Sequence, residues 1–346
     1  ETGVGESARL CAASCEAAGI AAQLVDVDET ASFGHRIDPR TTTILHVNAD
    51  MTPAVAAAMR DTLHPDSYTI GVWHWELADF PASWVASADL LDEIWAPSAF
   101  IAGAVSRSVT IPVVHMPHGV EVAELAPVSL SAFGVPPGRF VFLVMFDFDS
   151  FVERKNPVAA IDAFRRAFPG DAGATLLIKT TSGSRHQAAL AELRARVAAV
   201  PHVQLVDRTL PRGEVNGLIA ACDAVVSLHR AEGFGLVLAE AMELGKPVVA
   251  TGWSGNVDFM NAGNSCPVGY ELVPIERDHG PYTAGSLWAE PDVDHAAWLM
   301  SRLVKDAGYR ETIGRRAQAT IRTDFSPEAA GRRYRRRLAR LGLLDE

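Results

Sequence analysis

Hydrophobic residues along this chain gather in short unbroken runs, and between the runs they recur every third or fourth position. Runs of that length read as buried strands, and the spaced stretches as amphipathic helices. Ala22–Val27, Thr43–Val47 and Thr69–Trp73 are strands in this reading, with helical stretches after Asp50 and before Leu63. The runs return at Phe140–Met145, Thr175–Lys179, Val203–Val206, Ala224–Leu228 and Val248–Ala250. Helices are predicted between them, through Ala159–Phe164, Gln187–Ala199 and Glu214–Ala221. Strand alternating with helix is the pattern of parallel sheets covered on their faces.

The interruptions carry information too. Pro127, Pro136 and Pro137, with polar residues between them, fit a linker and place a domain boundary within residues 122–137. Gly3-Val4-Gly5 reads as a glycine turn running into a helix that ends near Gly19. Such a turn follows a strand, so the chain is expected to lack the first strand of its first domain. A dinucleotide fingerprint is not complete there, because position 8 is Ala. Asn264–Leu287 is rich in Gly and Pro and reads as an excursion, after which Trp288–Asp292 restarts helical chain.

Composition works by exclusion. The 346 residues are 48% hydrophobic and 21% charged, which fits two ordinary soluble domains. A net charge of −11 argues against a nucleic-acid partner. The longest apolar run, Phe140–Phe146, is too short to cross a bilayer. No secretory leader is evident, so the expected place is the cytoplasm. Four scattered cysteines are not a disulfide framework, and Cys11 and Cys15 are expected as small buried thiols on a helix. Against the acidic background, the carboxyl-terminal helical stretch carries Arg332, Arg333, Arg335, Arg336, Arg337 and Arg340.

The candidate chemistry is concentrated in Ala224–Asn256. A strand leads through a polar turn to Gly233-Phe234-Gly235, and then a helix runs through Leu236, Leu238, Ala239 and Met242 to Gly245 and Pro247. Glycines let the backbone approach a ligand, and the outward amides of a helix start attract phosphate. Glu232 stands before that helix and Glu240 inside it. Two carboxylates do not hold phosphate, since like charges repel. They accept hydrogen bonds from hydroxyls, so the expected ligand has a phosphate and sugar hydroxyls, with one sugar on Glu232 and another on Glu240. The plainer alternative is a surface helix with two solvated glutamates. Lys179, at the end of its predicted strand, is a second phosphate candidate. Trp73-His74-Trp75-Glu76 also ends a strand, where α/β sheets place their ligand mouths; the alternative is an aromatic cluster packing a loop. His46 is a weaker candidate at the end of the preceding strand, and His115 and His118 read as structural.

Glu232 and Glu240, wrapped around Gly233-Phe234-Gly235-Leu236, resemble the glutamate-pair motif of retaining glycosyltransferases of family 4. The resemblance implies an α/β protein of the GT-B fold, with two Rossmann-like parallel-sheet domains facing across a cleft. Residues 1–125 would be the acceptor-side domain, 135–322 the nucleotide-sugar domain, and 323–346 a helix packing back on the first. It further implies that Glu232 contacts the transferred sugar and Glu240 the ribose, with Gly233, Phe234, Gly235 and Leu236 around the donor. Lys155 fits the family's diphosphate lysine. The family's diphosphate arginine is replaced here by acidic and aromatic residues, and Arg154 is the expected substitute. A cation about 4 Å from the leaving diphosphate is worth roughly 4 kcal/mol at an effective dielectric near 20. The base is expected beside Val206 and Arg208, Gly3 and Gly5 match the family's glycine loop under the donor phosphates, and His74 matches a histidine presented to the donor sugar. Asp92–Ser98 with Phe100 matches a family strand and turn without a catalytic role. Gly119-Val120-Glu121 resembles the turn before the linker, with His118 in place of Asn.

The implied activity is transfer of a sugar from a UDP- or GDP-linked donor to an acceptor hydroxyl with retention, in glycan or surface polysaccharide synthesis. The acceptor would be a glycan, a lipid-linked or a small molecule, with peripheral contact at the inner face of a membrane through the basic helix. No cofactor is expected. Asp147-Phe148-Asp149 has the spacing of a metal pair but falls on the phosphate wall, so the expected metal is none. Two alternatives share the fold class: a sugar-nucleotide epimerase, which lacks this glutamate pair, and a non-catalytic nucleotide-sugar-binding domain.

Overall fold

The computed structural model describes residues 3–26, 41–60, 62, 64, 66–171 and 173–344. They form two compact units, Glu1–Glu121 with Thr323–Glu346, and Val122–Arg322.

In the first unit the order is α1 (Gly3–Ala17), β1 (Thr43–Leu45), α2 (Thr52–Ala58), β2 (Thr69–Val72), β3 (Glu93–Ala96), α3 (Ala99–Ser106) and β4 (Val113–His115). The strands make one parallel sheet in the order β1-β2-β3-β4. Every residue of β2 and β3 is buried, as expected of central strands covered on both faces. Ser98 starts α3 by accepting a hydrogen bond from the Ile101 amide at 3.2 Å.

The second unit is built on β5 (Phe140–Asp147), the single turn α4 (Val152–Lys155), α5 (Pro157–Ala167), β6 (Ala174–Thr181), α6 (Gln187–Ala198) and β7 (Val203–Asp207). It continues with α7 (Arg212–Ala221), β8 (Ala224–Ser227), α8 (Leu236–Glu243), β9 (Val248–Thr251) and β10 (Cys266–Val268). Six parallel strands lie in the order β10-β9-β8-β5-β6-β7. Val141, Phe142 and Leu143 of β5 are fully buried at the sheet's centre, and Ile161, Ala163 and Phe164 of α5 cover it from one side. The strand order reverses between β5 and β8. At such a switch point two loops leave the carboxyl edge in opposite directions and open a crevice for ligand. An antiparallel hairpin, β11 (Tyr270–Pro274) and β12 (Leu287–Pro291), follows, and then α9 (Val293–Lys305) and α10 (Ala307–Asp324).

The chain then returns to the first unit as α11 (Pro327–Arg340), which packs against α1. Tyr334 stacks on Trp95 at 4.9 Å, and Arg337 pairs with the fully buried carboxylate of Glu93. Arg335 donates to the carbonyls of Ala18 and Gly19 at 3.0 and 3.2 Å. Part of the arginine run therefore fastens the helix to its own unit, while Arg332, Arg336 and Arg340 stay exposed. Among the described residues no helix is long and apolar enough to cross a membrane. Cys11 and Cys15 are both buried, within the cluster formed by α1 and α11.

Several local expectations are corrected. Residues 22–26 form no strand and are exposed, Leu24 at 54%, so no burial rewards pairing; Val27 lies outside the described residues. Gly3 and Gly5 belong to the first turns of α1 rather than to a turn ahead of it. Trp288–Pro291 is strand β12, not helix: its backbone pairs with Tyr270–Val273, and helix begins only at Val293 behind the Asp292 cap. The Gly- and Pro-rich excursion holds β10 and β11, both too short to stand out as periodic runs.

Candidate active site

The switch point brings together two loops that are far apart in sequence. From β5 the chain passes Phe151 at φ 62° into α4 and leaves it through Asn156 at φ 49°. Two non-glycine residues at positive φ around a four-residue turn are costly, and such strain persists only where the surroundings enforce it. The turn they bracket carries Arg154 and Lys155. From β8 the chain passes His229, Arg230 and Ala231 to Glu232, and α8 begins behind Gly235, whose φ of 93° suits glycine.

Glu232 meets both cations. Its Oε2 lies 2.6 Å from Lys155 Nζ, and its Oε1 lies 3.5 Å from Arg154 Nη1. Arg154 is 4% exposed and donates to the carbonyls of Ala231 at 2.9 Å and Ser150 at 3.2 Å, with Tyr282 under its guanidinium. Burial by itself pushes the Glu232 carboxyl up, but Lys155 and then Arg154 outweigh that and hold it down at about 2. The result is an ionised carboxylate with fixed cationic neighbours, a group that accepts hydrogen bonds from hydroxyls. The cations in turn suit the growing negative charge of a leaving diphosphate.

Glu240 lies in the second turn of α8, is 1% exposed and pairs with Arg212 at the start of α7. Sequence reasoning missed Arg212, since only packing of α7 beside α8 brings it to Glu240. Phe234 packs on Phe259 with ring centroids 5.2 Å apart, and so fills the core under the loop. Leu236 is half-buried at the helix start. Lys179 is corrected: β6 continues to Thr181, so Lys179 sits inside the strand, 5% exposed, rather than at its end. Burial lowers its pKa against the opposing pull of Asp147 and Asp207. Val206 is in β7, and Arg208 beyond it is exposed with its guanidinium 5.0 Å from the Phe133 ring centroid.

His74 belongs to the first unit, with Gly3 and Gly5. Its Nε2 lies 3.2 Å from His118 Nε2, and the rings stack at 5.4 Å. His46 lies nearby and contacts Ser7 Oγ through Nδ1 at 3.0 Å. Burial lowers His46 to about 3 and His74 to about 4, and holds His118 well below the ordinary histidine value. The neighbouring Trp73 and Trp75 are core residues, not a ligand mouth. Both are nearly fully buried, with indole donors satisfied by Thr52 Oγ1 at 3.1 Å and the Asp79 carbonyl at 2.8 Å. Of the Asp-x-Asp pair, Asp149 is committed to Arg185 and His186, which hold it at about 2. Among the described residues no group of three His, Cys, Asp or Glu is arranged to hold a metal ion.

Residues 147–305, which include Arg154, Lys155, Arg212, Glu232 and Glu240, match the family Glycosyl transferases group 1. HepE of Anabaena, solved with UDP and glucose, is similar at TM-score 0.65 and 19% identity, over 86% of this chain and 77% of that one. The trehalose 6-phosphate synthase of Burkholderia multivorans is similar at TM-score 0.64 and 12% identity, over 95% and 76%. The fold is GT-B. Sucrose-phosphate synthase of Thermosynechococcus elongatus shares it at TM-score 0.62 and 16% identity, over 84% and 71%. A search of curated protein sequences finds no significant match. The family match spans the second unit from the end of β5 through α9.

Proposed function

We propose that this GT-B chain transfers a sugar from a nucleotide diphosphate sugar to an acceptor hydroxyl with retention at the anomeric carbon. The observation that carries the reading is Glu232, ionised and held between Lys155 and Arg154 at the switch point. In the proposed step the bond between the anomeric carbon and the diphosphate oxygen breaks, and the acceptor oxygen bonds to that carbon from the same face. The acceptor's proton passes to the departing phosphate oxygen. Glu232 accepts hydrogen bonds from the sugar, while Lys155 and Arg154 balance the charge left on the nucleoside diphosphate. Glu240 is assigned to the ribose, in concert with Arg212. No metal ion takes part, and the product belongs to a glycan or surface polysaccharide.

UDP-linked sugars are the first donors to test, because HepE, similar in fold, was solved with UDP and glucose. A thermal-shift panel of UDP- and GDP-sugars identifies the donor, since a ligand of the folded state raises its melting temperature. Incubation with that donor and a panel of acceptors, followed by NMR of the product, then reads the anomeric configuration. An α-glycoside from an α-linked donor is the expected product. An inverted glycoside, an epimerised donor or no turnover with any acceptor overturns the reading.

A further inference from the structure

Both backbone polar atoms of Glu232 are held by one turn. Its amide donates to Ser254 Oγ at 2.8 Å, and its carbonyl accepts from the Gly255 amide at 2.8 Å. Ser254 Oγ itself donates to the Trp253 carbonyl at 2.5 Å, so a lone pair is aimed at Glu232. Ser254 makes these bonds at φ 74°, ψ −148°, a conformation that a side chain rarely accepts. Gly255 comes so close that a Cβ on it would lie 1.7 Å from the Gly233 carbonyl oxygen.

The turn has its own anchor. Asn256 is fully buried and donates from Nδ2 to the Thr251 carbonyl at 2.9 Å, which leaves its Oδ1 facing His229 Nε2 at 3.1 Å. His229 therefore carries its proton on Nε2, and its Nδ1 accepts from Ser227 Oγ at 3.0 Å. The His229 carbonyl accepts from Thr251 Oγ1 at 2.6 Å. The buried imidazole thus ties the end of β8 to the turn beyond β9, while the His229 carbonyl ties the same loop to the end of β9.

We infer that Ser254 and His229 are positioning residues, which fix the backbone of Glu232 so that its carboxylate stands between Lys155 and Arg154 and toward the transferred sugar. The inference rests on the sugar-transfer reading of Glu232. A carboxylate on a free loop would sample many directions, whereas one with both flanking backbone groups pinned keeps a single approach. Misplacement of about 1 Å at a reacting group costs on the order of a hundredfold in rate.

Ser254→Gly is the direct test, because glycine adopts the positive φ without strain and only the hydroxyl is lost. With the sugar nucleotide that the wild type turns over, UDP-glucose being the first probe, kcat is expected to fall about tenfold to a hundredfold. KM for the donor should stay within about twofold, as for an interaction realised in the transition state. The melting temperature should hold, and hydrogen exchange should accelerate at the Glu232 amide. His229→Leu is expected to show the same pattern, and His229→Gln, which can still donate to Asn256, to recover most of the loss. An unchanged kcat in Ser254→Gly, or a defect confined to KM, overturns the inference while leaving sugar transfer standing. A wild type that turns over no sugar nucleotide removes the transfer reading, and the inference with it.

Discussion

Lys155 and Glu232 lie 77 positions apart in the chain, yet Nζ and Oε2 are 2.6 Å apart, with 18% and 14% of the two side chains exposed. Removing either partner has a distinct expected outcome. Glu232→Gln keeps the shape and removes the charge, so transfer should drop by at least about a hundredfold, and the melting temperature should fall because the buried Arg154 and the half-buried Lys155 lose their counter-charge. Lys155→Met takes away a countercharge worth about 4 kcal/mol, which corresponds to roughly a thousandfold in turnover. Wild-type turnover in Glu232→Gln would end the assignment of that residue.

Arg212 and Glu240 should behave as a buried pair. Arg212→Met leaves the 1%-exposed carboxylate of Glu240 without its guanidinium. Uncompensated buried charge costs about 3–5 kcal/mol, to be read as a lower urea midpoint at unchanged m-value. Glu240→Gln should cost less and chiefly weaken donor binding. Equal stability of Arg212→Met and wild type would show that the pair is not held in solution.

A third prediction separates the arginines of α11. Arg337 serves the fully buried Glu93, which also accepts from Trp95 Nε1 at 2.6 Å. Arg337→Met should destabilise the first unit by about 3–5 kcal/mol. Arg336→Met, at an exposed position, should stay within about 0.5 kcal/mol. Similar effects of the two changes in a urea titration would contradict the assignment.

Acid should unsettle the first unit early. His46 and His74 have their pKa values lowered to about 3 and about 4 by burial, and His118 is lowered for the same reason. In the unfolded chain all three take up protons below about pH 6.5. Between that pH and the folded values the unfolded state binds more protons, so their contribution is complete above pH 6.5 and is lost as pH falls toward 4. The slope is about 1.4 kcal/mol per pH unit for each histidine. Glu232, held at about 2, has the same sign but a lower window: its contribution is complete above its unfolded value and is lost only as pH falls toward 2. Urea midpoints that stay flat from pH 7.5 to 5 would refute the histidine account.

Metal independence is tested by EDTA. Asp149 is engaged by Arg185 and His186, which leaves the Asp147-Phe148-Asp149 spacing without a second available carboxylate. Turnover should persist in EDTA; complete loss, restored by Mn²⁺, would reverse the proposal.

The alternation of apolar runs and spaced helices was enough to read the α/β class and most of the second unit's strands. These follow from local pattern: a run that is buried on both faces, such as Val141–Leu143, must be apolar at every position, and that is visible in one dimension. Local pattern failed where burial disagreed with it. Leu24 and Val25 look like strand residues but are exposed, and Trp73 and Trp75 look like a polar-tipped mouth but lie in the core with their indole donors satisfied. Short strands such as β10 and β11 owe their pairing to a neighbour, so no periodicity announces them.

What the linear order determined by itself was the kind of element at most places in the second unit's sheet and the glycine–glutamate loop that one of them carries. What only folding decided was company: which cation stands beside Glu232, that Arg212 answers Glu240, and that Ser254 and His229 hold the loop from behind. The physical reason is that propensity and periodicity act over a few neighbouring residues. Electrostatic and hydrogen-bond partners are set by where the sheet reverses its strand order and lays distant loops side by side.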